Sequence, residues 1–518
     1  MLRDLARALS LANLCFIAVW ARLIDPLYNI AGFNQYLSII INVLLVAMLF
    51  WTAITLARRF RKPLALRIAR LVFPLILLIP LNGVMRMLFP ERWLAIDLTL
   101  TALAIAMISL SDVRPWDYAM VRSSATVTLV LFPFFLITMG QIVWSLTKFT
   151  DRVPAAPVGL QKTSAPRVLW LLFDEMDYQI AFSRRPATLQ LPELDRFRSQ
   201  AIFASNAYPP ADYTMVSMPA LVTGRRVSKA KLVNPSKLMI AFSDSEERVS
   251  WGSQPNVFSE ARGAGLNTAA IGWYIPYCRM IGQDLTTCSS QDFEGLSLLK
   301  TSRNQIEGLI NTIPLGSILG PQIGVMRDER ARLRQERQNH LKSFFGVFDG
   351  AKKAAVDPSL NLILAHWPVP HGPGIYNRGT DDFELDADSS YIDNFPLVDR
   401  VLRELRRAME DAGTWDETTV LVTADHWWRY DIWRYTNSWT SEDQKMLPVE
   451  VNHRVPFILK LRGQNKGVTY DAEFNTVLTH DLILALLRGE LTSAESVVNW
   501  LDRRRSLQGS PYPISGSK

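Results

Sequence analysis

Residues 168–175 read Val168-Leu169-Trp170-Leu171-Leu172-Phe173-Asp174-Glu175, VLWLLFDE. Six consecutive apolar positions closed by two acids predict a strand buried on both faces, with carboxylates at its end. Further short apolar runs follow at 269–273 (AAIGW), 362–366 (LILAH), 420–424 (VLVTA) and 456–461 (PFILKL), while 391–412 and 471–487 carry helical patterning. Strands alternating with helices predict an α/β domain with a mostly parallel central sheet. Such sheets gather their chemistry at the carboxyl ends of strands, which directs attention to the residues after each run.

Upstream of this pattern the chain changes character. Hydrophobic residues make up 48% of its 518 positions, concentrated in roughly the first 150. Five apolar stretches of about bilayer length lie near 8–24, 37–57, 68–89, 93–110 and 124–146, and predict an N-terminal multi-span α-helical membrane domain over 1–147. No small-residue cleavage site marks the first as a signal peptide. Arg3 and Arg7 precede the first stretch, Arg58, Arg59, Arg61, Lys62, Arg67 and Arg70 crowd the second loop, and Arg114 and Arg122 flank the fourth. This bias predicts a cytoplasmic N-terminus, and five crossings then place everything after about Lys148 outside. A Pro- and Ala-rich linker (148–167) leads to the α/β domain (168–505), and a tail follows (506–518).

Two strands end in chemistry-bearing residues: Asp174-Glu175 after the first, Asp425-His426 after VLVTA. A lone acid after a strand is commonly a helix cap. Here a third strand adds His366 and His371 in HWPVPH, and three of the chain's six histidines fall at such ends. Carboxylates with imidazole form an oxygen and nitrogen site suited to Zn²⁺ or Mn²⁺.

These residues carry a family likeness. VLWLLFDE (168–175), LPELDRFRSQAIFASNAY (191–208), TMVSMPALVTGR (214–225), HWPVPHGP (366–373), YIDNFPLVDRVLREL (391–405), TTVLVTADH (418–426) and HRVPFILK (453–460) occur in one order. Together they resemble the sulfatase-like branch of the alkaline phosphatase superfamily, which includes the membrane phosphoethanolamine transferases and lipoteichoic acid synthase. The resemblance implies an alkaline-phosphatase-like fold and a divalent metal held by Asp174, Asp425 and His426 beside Thr214, the nucleophile. Glu175 matches a second acid that some sulfatases use, and is a further ligand candidate. His371 matches a histidine facing the substrate phosphate or a second metal, with His366 and Ser217 as further substrate-side candidates.

Thr214 separates two branches of that superfamily. Aligned on Thr223-Gly224-Arg225, it falls where a sulfatase has the residue that becomes formylglycine, and its β-methyl bars an aldehyde. Met218 occupies the place of the sulfatase arginine. Thr-x-x-Ser-x-Pro is instead the transferase form. A threonine hydroxyl needs a metal or a base to become a nucleophile.

The resemblance therefore implies a phosphotransferase that passes phosphoethanolamine or phosphoglycerol from a phospholipid donor through phosphothreonine to an envelope lipid or glycan. A sulfatase-like hydrolase using water and a catalytically silent envelope binding protein are the alternatives. Departures from the transferase pattern are Trp427, Trp428 and Arg429 after Asp425-His426, where the family has Gly and Glu. The aromatic pair reads as a headgroup wall or as packing, and His453 as a ligand or a structural residue.

Cys278 and Cys288, ten apart on the outer side, are open to a disulfide or to two free thiols. The run 326–340, charged on nearly all sides, predicts an exposed helix. Asp97 sits near the outer end of its stretch, within reach of the interface. A net charge of +7 is modest for this length, and no nucleic-acid motif, Gly-rich phosphate loop or repeat is present.

Overall fold

The computed structural model describes residues 2–24, 32–60, 71, 74–110, 114–158, 165–291, 297–316, 329–386, 389–448 and 452–513. The chain divides into two compact units, one of Met1–Phe149 with Leu296–Asp328, the other of Thr150–Gly295 with Glu329–Lys518.

In the first unit, helices Phe33–Leu56, Trp93–Leu110 and Arg122–Leu146 are long and apolar enough to cross a membrane. Leu45, Met48 and Leu49 on the first, Ile105 on the second and Ile137 and Val143 on the third face outward, an apolar exterior suited to lipid rather than water. The expected span at 8–24 is a pair of helices, Leu2–Cys15 and Ile17–Leu23, bent by 66°. Polar residues satisfy the break: the Trp20 indole donates to the Asn13 carbonyl at 3.1 Å, and the Thr138 hydroxyl to Asn13 Oδ1 at 3.2 Å. The expected span at 68–89 contains the shorter apolar helix Pro74–Leu88; the basic cluster at 61–70 lies outside the described residues. Among the described residues, three helices are long and apolar enough to span, or four if the bent pair counts as one.

A helix from much later in the sequence, Leu298–Thr312, belongs to the same unit. Asn42 Nδ2 donates to Ser302 O and Gln305 Oε1, both at 3.0 Å, and Gln305 returns a bond to Gln35 O at 2.8 Å. Asp97, near the outer end of its stretch, is buried among side chains: Arg86 Nε stands 3.2 Å from it, and it accepts from Asn82 and from Leu315 N at 3.0 Å each. A buried carboxylate is tolerated when ion-paired and fully hydrogen-bonded, and this one also holds the end of the late helix.

The second unit is built on an eight-stranded sheet of β1 (Val168–Phe173), β2 (Ile202–Ala204), β3 (Thr268–Trp273), β4 (Thr287–Gln291), β5 (Leu362–Trp367), β6 (Thr419–Ala424), β7 (Phe457–Lys460) and β8 (Val468–Tyr470). Its order is β8-β2-β7-β6-β1-β5-β3-β4, and β7 alone runs against its neighbours. The five apolar runs form β1, β3, β5, β6 and β7. The remaining strands are too short or too polar to stand out: β2 is only the three residues IFA, and β4 reads TCSSQ. Helices Pro192–Ser199, Glu329–Val356 and Phe395–Asp411 pack together on one face, and Thr214–Thr223, Val257–Gly263 and Thr479–Leu487 on the other. Such double cover explains why the central strands are apolar on both sides.

The charged run at 326–340 is helical and mostly exposed or half-buried where it is described, but two of its residues turn inward. Arg337 is buried and donates to Leu385 O, and the buried His340 ring sits 2.6 Å from Pro368 O and 3.1 Å from Pro373 O. Residues 151–158 follow the α/β unit closely, with Arg152 N donating to Cys278 O and Ala155 N to Leu285 O. Cys278 and Cys288 are joined in a disulfide, tying helix Tyr277–Ile281 to β4.

Candidate active site

Three adjacent strands converge on one point. β1 lies between β6 and β5, with Phe173 level with Ala424 on one side and Trp367 on the other. Asp174 and Asp425 are the next residues of parallel neighbours, so their carboxylates share one end of the sheet. His366, one residue before the end of β5, points its Nε2 at Asp174 Oδ2 across 3.7 Å. Thr214 opens helix Thr214–Thr223 directly after the extended Tyr213.

Ligand atoms of Asp174, Asp425 and His426 lie within 4.8 Å of one another, and all three side chains are buried. His426 Nε2 is 3.5 Å from Asp174 Oδ1, 3.4 Å from Asp425 Oδ2 and 3.3 Å from Thr214 Oγ1. Its Nδ1 faces Trp427 O at 2.9 Å. Donation of Nδ1–H to that carbonyl leaves the Nε2 lone pair turned toward the two carboxylates, the tautomer a metal ligand needs. Burial first, then the Arg429 charge, push the His426 pKa down to about 3, which keeps the ring neutral. Burial and the neighbouring Asp425 push the Asp174 carboxyl well above the usual range.

Asp174 Oδ1, Asp425 Oδ2 and His366 Nε2 are buried and, among the described residues, have no hydrogen-bond partner. Two buried carboxylates and an imidazole lone pair aimed at each other are unfavourable unless a cation lies between them. The residues therefore fit a divalent ion on Asp174, Asp425 and His426, with Thr214 at its edge and His366 within reach.

Glu175 does not join this group. Its backbone adopts φ 62, a left-handed conformation uncommon for a residue with a side chain, which turns it away from its neighbour Asp174. The Glu175 carboxylate accepts from Arg429 N and Nε, each at 3.1 Å, and from Trp433 Nε1 at 2.8 Å. Burial alone would raise its pKa, yet His371, Arg429 and His426 together hold it below the ordinary value. Its backbone N–H donates to Asp425 Oδ1 at 3.2 Å, and the Tyr391 hydroxyl to its carbonyl, so Glu175 is tied to Asp425 through its backbone while its carboxylate is engaged by Arg429 and Trp433.

The other expected residues take various places. His371 stands beside Glu175, its Nε2 3.9 Å from Oε2, with its ring against Trp433 and Trp273. Ser217 is fully buried, and its Oγ contacts both the N and the O of Ala211 at 3.1 Å, bracing the turn into the helix. Met218 is buried in the same helix. The His453 ring stacks on Trp427 at 4.0 Å, and Trp428 stacks between Tyr391 and Trp439 as packing.

Arg429, Trp433, Tyr391 and Tyr274 were not anticipated as site residues. Only the sequence HWWRYDIW after Asp425 marks the first two. Tyr274 has φ 63, and burial pushes its hydroxyl pKa up, with Asp174, Asp425 and Arg429 all acting on it.

Residues 171–428 match the model of the type I phosphodiesterase / nucleotide pyrophosphatase family. No curated protein matches the chain in sequence. Similar solved structures include the PsFucS1 sulfatase from Pseudoalteromonas sp., at 14% identity over 66% of this chain and 76% of that one, with a TM-score of 0.40. A phosphonate monoester hydrolase from Silicibacter pomeroyi is similar at 14% identity over 62% and 73%, with a TM-score of 0.38. An alkaline phosphatase superfamily protein from Vibrio parahaemolyticus is similar at 13% identity over 64% and 68%, with a TM-score of 0.38.

Proposed function

Starting from an alkaline-phosphatase-superfamily enzyme, matched over 171–428 by the type I phosphodiesterase / nucleotide pyrophosphatase model, we propose a membrane-anchored, metal-dependent phosphotransferase. It moves a phosphoethanolamine or phosphoglycerol group from a phospholipid to a lipid or glycan of the envelope. The observation that carries this reading is the cluster of Asp174, Asp425 and His426, with the Thr214 hydroxyl 3.3 Å from His426 Nε2.

Zn²⁺ or Mn²⁺ held by those three residues would supply the charge that makes the threonine hydroxyl acidic and offsets the phosphoryl oxygens. Thr214 Oγ1 bonds to phosphorus while the bond from phosphorus to the diacylglycerol oxygen breaks, and diacylglycerol leaves as the alcohol with the proton that Thr214 gives up. The first-turn N–H groups of helix Thr214–Thr223 favour the anionic oxygens. An acceptor hydroxyl then displaces Thr214 from phosphorus, restoring the threonine. The apolar helices supply the anchor, and the Cys278–Cys288 bond suits an oxidising, extracytoplasmic compartment.

A second reading, a phosphodiesterase with water as the acceptor, draws support from the family match and shares the Thr214 half-reaction. The experiment is incubation of the full chain in lipid vesicles with labelled phospholipid and Mn²⁺ or Zn²⁺. Phosphorylated Thr214 and released diacylglycerol are expected, with Thr214→Ala lowering turnover by at least ~10³-fold. Full activity of that variant would overturn both readings. Label lost only to water would favour the second.

A further inference from the structure

Arg429 lies three residues beyond the ligand His426, yet it is absent from the family pattern that locates the other site residues. It is largely buried, with 18% of its side chain exposed. Its backbone N–H and its Nε are both spent on one oxygen, Glu175 Oε1. That oxygen also takes the Trp433 indole N–H at 3.0 Å, and the same indole reaches the second carboxylate oxygen at 2.8 Å. Glu175 is in turn fixed through its own backbone, between Asp425 and Tyr391. The guanidinium is therefore held at its inner nitrogen by this support, and among the described residues its two terminal nitrogens make no hydrogen bond of their own. Arg429 thus sits one residue-contact from Asp425, because the Glu175 it grips donates its own backbone N–H to Asp425 Oδ1 at 3.2 Å. Among the described residues one group alone could hold a metal ion, and the neighbouring Glu175 carboxylate is ion-paired with Arg429.

We propose that Arg429 is the second positive charge of this site: pinned by Glu175 and Trp433, its terminal nitrogens hold a non-bridging oxygen of the substrate's phosphoryl group, so that the site works with one bound metal ion. The inference rests on the phosphoryl-transfer reading above. A planar guanidinium with two parallel N–H donors suits the edge of a phosphoryl group and keeps its charge at every working pH. A diester phosphate carries one negative charge shared over two oxygens, so one oxygen on the metal leaves the other for Arg429. The substrate class favoured is a phosphodiester or another tetrahedral oxyanion with two free oxygens.

The test uses the full chain in detergent, loaded with Zn²⁺, and needs no turnover. Metal content is counted, and inorganic phosphate is titrated calorimetrically into wild type, Arg429→Gln, Arg429→Lys and the charge-balanced double variant Glu175→Gln/Arg429→Gln. One metal ion per chain is expected in wild type, with phosphate binding weakened ~10–100-fold in both variants lacking the arginine charge, the size expected for a charge-assisted pair. Arg429→Lys should recover part of the loss. Two metal ions per wild-type chain, failure of wild type to bind phosphate, or wild-type phosphate affinity in Arg429→Gln would overturn the proposal. Loss of phosphate binding only in the single variant, with recovery in the double, would assign Arg429 to neutralising Glu175 and overturn it as well. Failure of the phosphotransferase reading shows separately, as absence of Thr214-dependent phospholipid cleavage in the presence of intact phosphate binding.

Discussion

Replacing Asp425 by Asn separates the cost of assembling this site from what it gains on binding metal. The carboxamide keeps the shape, its Oδ1 can still accept the Glu175 N–H, and its Nδ2, in the place of Oδ2, lies 3.4 Å from the His426 Nε2 lone pair to which it can donate. Without metal, the buried carboxylates of Asp174 and Asp425 offer oxygens within 4.8 Å of each other. Two unit charges at that distance repel by about 3.5 kcal/mol at an effective dielectric of ~20. Proton uptake by Asp174, whose carboxyl is pushed up by burial and then by Asp425, relieves part of this. A pKa raised by folding means stability that is full below the unfolded carboxyl value near ~4 and is lost as pH rises through the folded value. At pH 7 the metal-free variant should therefore be more stable than metal-free wild type by roughly 1–3 kcal/mol, about 2 °C of thermal midpoint per kcal/mol. Metal reverses the order: a ligand at a thousand times its dissociation constant adds ~4 kcal/mol to wild type, and the variant, lacking one charged ligand, should gain below ~1. Thermal melts of the full chain in detergent, with chelator and with Zn²⁺ or Mn²⁺, measure both differences. A metal-free variant that melts below metal-free wild type, or one that gains as much from metal, refutes the reasoning.

Three more expectations concern the surrounding unit. Asp443 is buried, which pushes its pKa up to about 6 despite bonds from Thr440 and the Tyr391 N–H; stability should fall by on the order of 3 kcal/mol between pH ~4 and ~6, and Asp443→Asn should flatten that part of a pH series of melts. Trp428 stacks on Tyr391 at 4.6 Å and on Trp439 at 5.4 Å, so Trp428→Ala should cost ~3–5 kcal/mol in denaturant unfolding followed by tryptophan fluorescence. The disulfide closes a separation of ten residues, and Cys278→Ser/Cys288→Ser should lose ~2–3 kcal/mol in the same assay, with wild type in reductant behaving alike.

The centre of the sheet was readable because burial on both faces leaves unbroken apolar runs, and the acids and histidine at their ends stand out against them. VLWLLF and VLVTA became neighbours β1 and β6, which is why Asp174 and Asp425 meet. Glu175 could not be placed from the same letters. Its direction depends on a left-handed backbone and on partners 254 and 258 residues away, which no local pattern encodes. Arg337 and His340 look solvent-facing on a helix of nearly uniform charge, but backbone carbonyls of distant loops accept from the first and flank the second. The bend near Phe16 has a faint trace in Ser10 and Asn13, polar residues in an apolar stretch that gain meaning once Trp20 and Thr138 are positioned. Helix Leu298–Thr312 resembles any short amphipathic segment, since its partners Asn42, Asn82 and Asp97 lie more than 200 residues earlier.

That late helix bears on how the protein can be divided. Because Leu296–Asp328 belongs with the N-terminal helices, the chain passes between the two units three times, near 150, 296 and 329. Cleavage within 151–167 would leave two covalent links intact and release no soluble fragment. A truncated chain beginning at Thr150 would carry Leu298–Thr312 stripped of Asn42, Asn82, Arg86 and Asp97, presenting polar groups and apolar side chains that no longer have a home. Excision that also replaces 296–328 with a short hydrophilic bridge should yield the α/β unit in soluble form, whereas simple truncation should yield aggregates, a difference that size-exclusion chromatography would display directly.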